Sequence, residues 1–347
     1  MKHRTRAWID NRLSASEEKA SCYVPHTKKE QKRLRRAMQE GYVVEVAPTL
    51  FARASYWSSL RSPSRMRHKI LGLQELHPNW IFAGPSAGVA WGLAVSNRYL
   101  DKVWVATTRR AHGKELSFRR DVIVSHDEGE MNAGVRLTSF ARTVGDCLRI
   151  MDFRSGLALL DSALRVSLKT GDELMGMLEQ ACRRMPGFKR MRAMMPLGDA
   201  RAESGGESIA RATMLELGLA LPDLQRVFHS PLAPEIDYRV DFAWEMPGGV
   251  HLVGEMDGIE KYENPAMTAG RSISQVIDDE HRRQTHIEAC PDVLRVVRFG
   301  FADVMRDQAF LSLLTGCGVQ RNFEMDAQVL AAGGVLRCRV PQLRRCG

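Results

Sequence analysis

Between Val240 and Gly258 the chain reads VDFAWEMPGGVHLVGEMDG, two alternating apolar runs joined by Met246-Pro247-Gly248-Gly249. Strand side chains point to opposite faces in turn. Val240, Phe242 and Trp244 occupy even positions in the first run, and Val250, Leu252, Gly254 and Met256 do so in the second. A hairpin with one buried face must bring these sets to the same side, because a one-residue slip would expose one of them. The pattern therefore predicts an antiparallel hairpin paired even to even, with a loop from Glu245 to Gly249. The odd positions Asp241, His251, Val253, Glu255 and Asp257 then share the other face. In this register Asp241 lies opposite Val253, and Glu255 is its diagonal neighbour at roughly 7–8 Å.

Three carboxylates inside an apolar hairpin need compensation. Clustered acids raise one another's pKa unless a cation neutralises them. Oxygen-only ligands suit Mg²⁺ or Mn²⁺, so Asp241, Glu255 and Asp257 are candidate metal ligands. A hard cation there would activate water and stabilise charge on a phosphoryl oxygen. The alternative is a solvent-exposed face that the acids merely solvate. A preceding helix carries the stripe Glu207, Ala210, Met214 and Leu217, which sets Glu207 on the side facing the sheet. Ser204-Gly205-Gly206-Glu207 also has the spacing of a capping box, a purely structural use of the same residue. Lys261, four residues after Asp257, is a candidate cation for a scissile phosphate or an ordinary surface lysine.

Around this hairpin the pattern predicts a helix over 207–219, strands over 238–244 and 250–256, a helix over 273–289 and a strand over 293–299. These make a domain over residues 204–310, preceded by a boundary in the small, polar stretch MPLGDARAESGGE and followed by an unassigned segment, 311–347. Residues 61–196 read as a mixed α/β region, with a small-residue helix from Ser86 to Leu93, strands in KVWVATTRR and DVIVSHD, and two helices after Thr138 or Ser139. His112 and His126 stand alone there, and the methionines between Met175 and Met195 suit packing.

Residues 1–60 form the first region. Thr27-Lys28-Lys29-Glu30 has capping-box spacing and starts a helix that runs to Glu40, with Gly41 as its stop. YVVEVAPTLFARA then makes a short hairpin turning at Ala47-Pro48. A basic helix followed by a two-stranded wing is the back half of a winged helix. Lys28, Lys29, Lys32, Arg33, Arg35 and Arg36 are candidate DNA-phosphate contacts, or else a solvated helix face.

The net charge of the 347-residue chain, +9, favours a polyanionic partner. Seven scattered cysteines make neither a disulfide framework nor a zinc site. No run approaches the ~18–20 apolar residues of a membrane helix, and the basic N-terminus lacks the apolar run of a signal peptide. These features imply a cytoplasmic protein without a membrane partner.

The GES at Glu207, VDFAW at Asp241, VGEMDGIEKY from Val253, DDEHRRQTHI from Asp278 and LRVVRFGFADV from Leu294 together resemble the PD-(D/E)XK nuclease superfamily, in its very-short-patch-repair-endonuclease branch. The stretches LRRAMQEGYVVEVAPTLFAR, GPSAGVAWGL and TSFARTVGDCLRIM resemble the AbiEi-type antitoxin arrangement, a winged helix followed by a mixed domain. The resemblance implies an α/β (α+β multidomain) chain with a restriction-endonuclease-like mixed sheet flanked by helices. It makes Asp241 and Glu255 metal ligands and Glu207 the helix acid. The superfamily's lysine stands two residues after the glutamate, where this chain has Asp257.

One expectation is a Mg²⁺- or Mn²⁺-dependent DNA endonuclease. Asp257 would orient water or a second ion, Lys261 or His251 would contact the phosphate, and Arg282 or Arg283 the backbone. The other is a non-catalytic DNA-binding antitoxin or transcriptional regulator that uses the nuclease fold as a platform, with a cognate toxin as possible partner. A third is a protein-interaction scaffold.

Overall fold

The computed structural model describes residues 3–108, 117–124, 129–257 and 273–337. The chain is a mixed α/β multidomain protein that separates into two compact units, Met1–Ile150 with Gly176–Met185, and Met151–Met175 with Pro186–Gly347. No helix among the described residues is long and apolar enough to cross a membrane. Lys261, His112 and His126 lie outside the described residues.

The first unit opens with α1 (His3–Glu18), α2 (Lys28–Gln39) and the antiparallel hairpin of β1 (Val43–Ala47) and β2 (Leu50–Arg53). Thr27 caps α2 as its spacing predicts, its hydroxyl accepting from Glu30 N at 3.2 Å. The sequence reading has no counterpart of α1. Its buried residues, Ile9 and Leu13, are one helical turn apart and pack with Tyr23, Leu34, Val43 and Phe51. Arg53 ties α1 to β2, donating to Asp10, to Glu17 at 3.0 Å and to the Ser14 hydroxyl at 3.0 Å.

α3 (Ala54–Ser59), α4 (Ser62–Leu76) and α5 (Gly84–Ala90) follow, then the parallel pair β3 (Val103–Thr107) and β4 (Arg119–Ile123), the antiparallel pair β5 (Glu130–Asn132) and β6 (Val135–Leu137), and α6 (Phe140–Ile150). Phe82, fully buried, bridges the two pairs through Val105 and Leu137.

The second unit begins with α7 (Phe153–Ser167) and the first residues of α8 (Gly171–Cys182). It continues with α9 (Phe188–Met194), α10 (Gly205–Glu216), β7 (Asp223–His229), β8 (Asp237–Glu245), β9 (His251–Asp257), α11 (Ile273–Glu288), β10 (Val293–Gly300), α12 (Phe301–Val304), α13 (Asp307–Gly316) and α14 (Asp326–Ala331). The sequence reading places a boundary between 195 and 207, whereas α7 belongs to the unit of α10. The tie between them is buried: Arg211 of α10 donates to Asp161 of α7 at 2.6 Å.

The sheet runs β10-β9-β8-β7, with β10 parallel to β9 and the other pairs antiparallel. The even-to-even pairing of the hairpin holds, but its register differs from expectation. Val253 lies opposite Ala243, not Asp241, and Trp244 pairs with Leu252. Gly248 and Gly249, both at positive φ, close the turn later than the composition suggests, so Glu245 joins the ladder opposite His251. The premise of a single buried face also fails. Phe242, Trp244 and Leu252 pack with Ala210, Met214 and Phe310. Ala243 and Val253 pack instead with Tyr238, Val240 and Ile287. Val240 and Phe242 therefore join different cores, and the alternation breaks at Asp241. Gln225, the β7 residue between the partners of Val240 and Phe242, has a left-handed φ of 58°, the local twist that allows the break.

Candidate functional site

Three of the predicted acids meet where the alternation breaks. The β8–β9 ladder is regular up to Phe242↔Gly254. One step further, the Asp241 carboxylate replaces a backbone partner and accepts from Met256 N at 2.8 Å. Continued one step beyond its last pair, this register would bring Asp241 opposite Glu255 rather than diagonal to it, and the charge of Asp241 does act on Glu255. Glu255 is 7% exposed and Glu207 6%.

Glu207 sits at the capped start of α10 and reaches toward the sheet, but the reciprocal half of the capping box goes to Glu203 N rather than to Ser204 N. Its backbone N–H donates to the Ser204 hydroxyl at 3.1 Å, as a helix cap requires. Its carboxylate accepts from Glu203 N at 2.8 Å and from the Gln225 amide at 3.1 Å. Burial pushes its pKa up, the Ser204 and Glu203 hydrogen bonds oppose this, and the charge of Asp241 raises it further.

Glu255 is likewise pushed up by burial, held down by Arg283 and raised again by Asp241. Asp241 thus acts electrostatically on both neighbours, one on α10 and one on β9. Arg283, on α11, donates to Glu255 at 2.9 Å and to the Arg239 carbonyl. Arg282, its neighbour, is largely exposed and lies 3.7 Å from Asp279.

Asp257 has a different environment. Arg298 of β10 grips its carboxylate, with Nε at 3.1 and 3.3 Å from the two oxygens. Glu280 of α11 lies 3.7 Å from the same guanidinium. His251 sits at the opposite end of β9, buried edge-on against Phe228 and bonded to the Asp292 carbonyl at 3.3 Å. It is therefore not part of the acid cluster, and its expected phosphate contact is corrected to a packing role.

Among the described residues, no group of three or more His, Cys, Asp or Glu side chains has metal-holding geometry. The donors of Asp241 and Glu255 are nevertheless all oxygen and lie on adjacent strands, and the charge of Asp241 raises the proton affinity of Glu255. That set fits Mg²⁺, which commonly takes one or two carboxylates and fills its shell with water and substrate phosphate.

The sequence reading missed Arg298, Gln225 and Glu280. Arg298 carried a signal of the same kind as Asp241, a charge between two apolar strand neighbours, Val297 and Phe299.

In the first unit, Lys28, Lys29, Lys32, Arg35 and Arg36 are exposed on α2. Arg33 lies over the Trp8 ring at 5.2 Å. The one acid in their run, Glu30, accepts from His26 N at 2.7 Å and from the Tyr23 hydroxyl at 3.2 Å. No ion pair among the described residues neutralises these six cations.

No family model matches the chain, and no solved structure matches it significantly. Two uncharacterised Mycobacterium tuberculosis proteins, MT2308 of strain CDC 1551 / Oshkosh and Rv2248 of strain ATCC 25618 / H37Rv, are each similar to it, 37% identical over 135 residues. The match covers 39% of this chain and 47% of each relative, so the chain spans about half the length of the curated relatives it matches.

Proposed function

We propose that the second unit carries a metal-dependent phosphodiesterase site acting on DNA, and that α2 of the first unit binds the DNA backbone. The observation that carries this reading is the convergence of Glu207 and Glu255, both buried, with Asp241, whose carboxylate takes the place of a backbone partner beside them. The charge of Asp241 raises the proton affinity of Glu207 on the helix and of Glu255 on the neighbouring strand, an arrangement that a divalent cation relieves. Asp241 and Glu255 would hold Mg²⁺ or Mn²⁺. The ion supplies, when bound, the charge that polarises a phosphodiester oxygen and acidifies an attacking water. Glu207, fixed by Glu203 N and Gln225 and with no cation paired to it among the described residues, is the carboxylate able to accept a proton. Arg282 is free of the acid cluster and suits a contact to the DNA backbone. This reading assigns the protein to the cytoplasm.

The test is incubation with supercoiled plasmid in Mg²⁺, Mn²⁺ or EDTA, beside Asp241→Ala and Glu255→Ala. Metal-dependent nicking by the parent protein, lost in both variants, is the expected result. Nicking that survives in both variants refutes the site.

A second reading, a non-catalytic DNA-binding antitoxin or regulator, draws on the arginines. Arg283 and Arg298 already compensate Glu255 and Asp257. It expects salt-sensitive DNA binding without strand breaks, and a cognate toxin as partner. An intact plasmid together with a gel shift would favour it.

A further inference from the structure

Arg298 is the best-fixed cation beside the acid cluster. β10 runs parallel to β9, and their register sets Arg298 level with Glu255. Its Nε and Nη2 both engage the Asp257 carboxylate, and Nη2 also approaches Glu280. The remaining terminal nitrogen, Nη1, has no partner among the described residues, and the side chain is 23% exposed. The Asp257 carboxylate is thus already committed through both oxygens to a guanidinium. A planar guanidinium fixed along one edge still presents its other N–H groups in a geometry suited to phosphate. The cluster also needs such a cation, because Glu207, Asp241 and Glu255 would otherwise repel an anionic substrate.

We propose that Arg298 is the phosphate-binding cation of this site, and that Asp257 is its positioning residue rather than a metal ligand. This inference rests on the phosphodiesterase reading of the cluster. It accounts for an acid at the position two after Glu255: the charge is delivered from the neighbouring strand, and Asp257 is the residue that aims it.

Two binding measurements on the full chain test this without relying on turnover. Mn²⁺ affinity is read by equilibrium dialysis, and affinity for a short DNA duplex is read in Ca²⁺ over a range of salt. Asp257→Asn should match the parent protein in Mn²⁺ affinity, while Asp241→Ala loses Mn²⁺. Arg298→Ala should weaken duplex binding and lower its salt slope by about 1. Arg298→Lys should keep part of the affinity, and Asp257→Glu should retain more than Asp257→Asn. Adding Asp257→Asn to Arg298→Ala should cost nothing further, because the first residue acts through the second.

Loss of Mn²⁺ binding in Asp257→Asn overturns the proposal, as does an unchanged salt slope in Arg298→Ala. If the parent protein binds no Mn²⁺, the metal reading fails separately, and the duplex measurements still decide the role of Arg298.

Discussion

The Arg283 guanidinium donates to Glu255 Oε1 across 2.9 Å, and through the same nitrogen to the Arg239 carbonyl. One side chain of α11 thereby joins β9 and β8 and compensates a carboxylate that burial alone would favour neutral. Removing it leaves a buried acceptor without its cation. Arg283→Ala should cost about 1–2 kcal/mol at neutral pH, below the cost of breaking a fully buried pair, because the arginine side chain is 35% exposed. The loss should depend on pH. The folded pKa of Glu255 lies above the ordinary 4.5 and rises further without Arg283. The folded state then binds the proton more tightly than the unfolded state, so stability falls as pH climbs from the ordinary value through the raised one. Urea unfolding across pH should show a small deficit in acid and a full one above the raised pKa. A deficit that is constant with pH would refute the assignment.

Gly254 lies at the centre of β9, opposite Phe242. A Cβ there would stand 2.9 Å from the Trp244 ring and 3.2 Å from Phe242 Cβ. The two aromatics fill the space that a side chain would need. Gly254→Ala should therefore destabilise the second unit by about 1–3 kcal/mol, as overpacking does. The check is thermal unfolding, and a neutral or stabilised variant would show that the aromatics can yield.

Much of this sheet was legible because its chemistry is local. Alternation placed β8, β9 and β10, and the spacing of Ser204 and Glu207 placed the start of α10. The same logic nominated Asp241, Glu255 and Glu207. β7 was not legible: DLQRVFH mixes charged and apolar residues without alternation, and Gln225 reverses the strand's facing in its middle. The register went astray by a single turn position at Gly248 and Gly249. Arg298 meets Asp257, and Glu280 meets Arg298, only through the parallel pairing of β10 and the packing of α11. Neither contact follows from spacing along the chain.

Arg211 and Asp161 form an enclosed ion pair of the second unit, 4% and 0% exposed. Arg211 also donates to the Leu197 carbonyl at 3.0 Å, and Asp161 accepts from Asp199 N at 2.8 Å. Asp161→Leu strands a guanidinium that cannot shed its proton, and should cost about 3–5 kcal/mol. Arg211→Met strands a carboxylate whose pKa burial already pushes up, so it can neutralise itself. That variant should lose less, and its deficit should shrink as pH falls and Asp161 takes the proton. The double variant should recover much of the loss of Asp161→Leu, since an apolar pair can replace a buried ionic one. A double-mutant cycle by denaturant unfolding decides it, and simple additivity would refute the coupling.

The basic helix gives the most direct test of the first unit. Lys28, Lys32, Arg35 and Arg36 are exposed, and surface substitutions of this kind usually change stability by no more than about 0.5 kcal/mol. Each side chain that meets a phosphate releases a condensed counterion from DNA. Replacing all four by Ala should lower the slope of log affinity against log salt by up to about 0.9 per residue, while the melting temperature stays near that of the parent protein. Fluorescence anisotropy with a labelled duplex at several salt concentrations reads the slope. If the slope is unchanged, these four charges merely solvate a helix face, and DNA contact must be sought elsewhere on the chain.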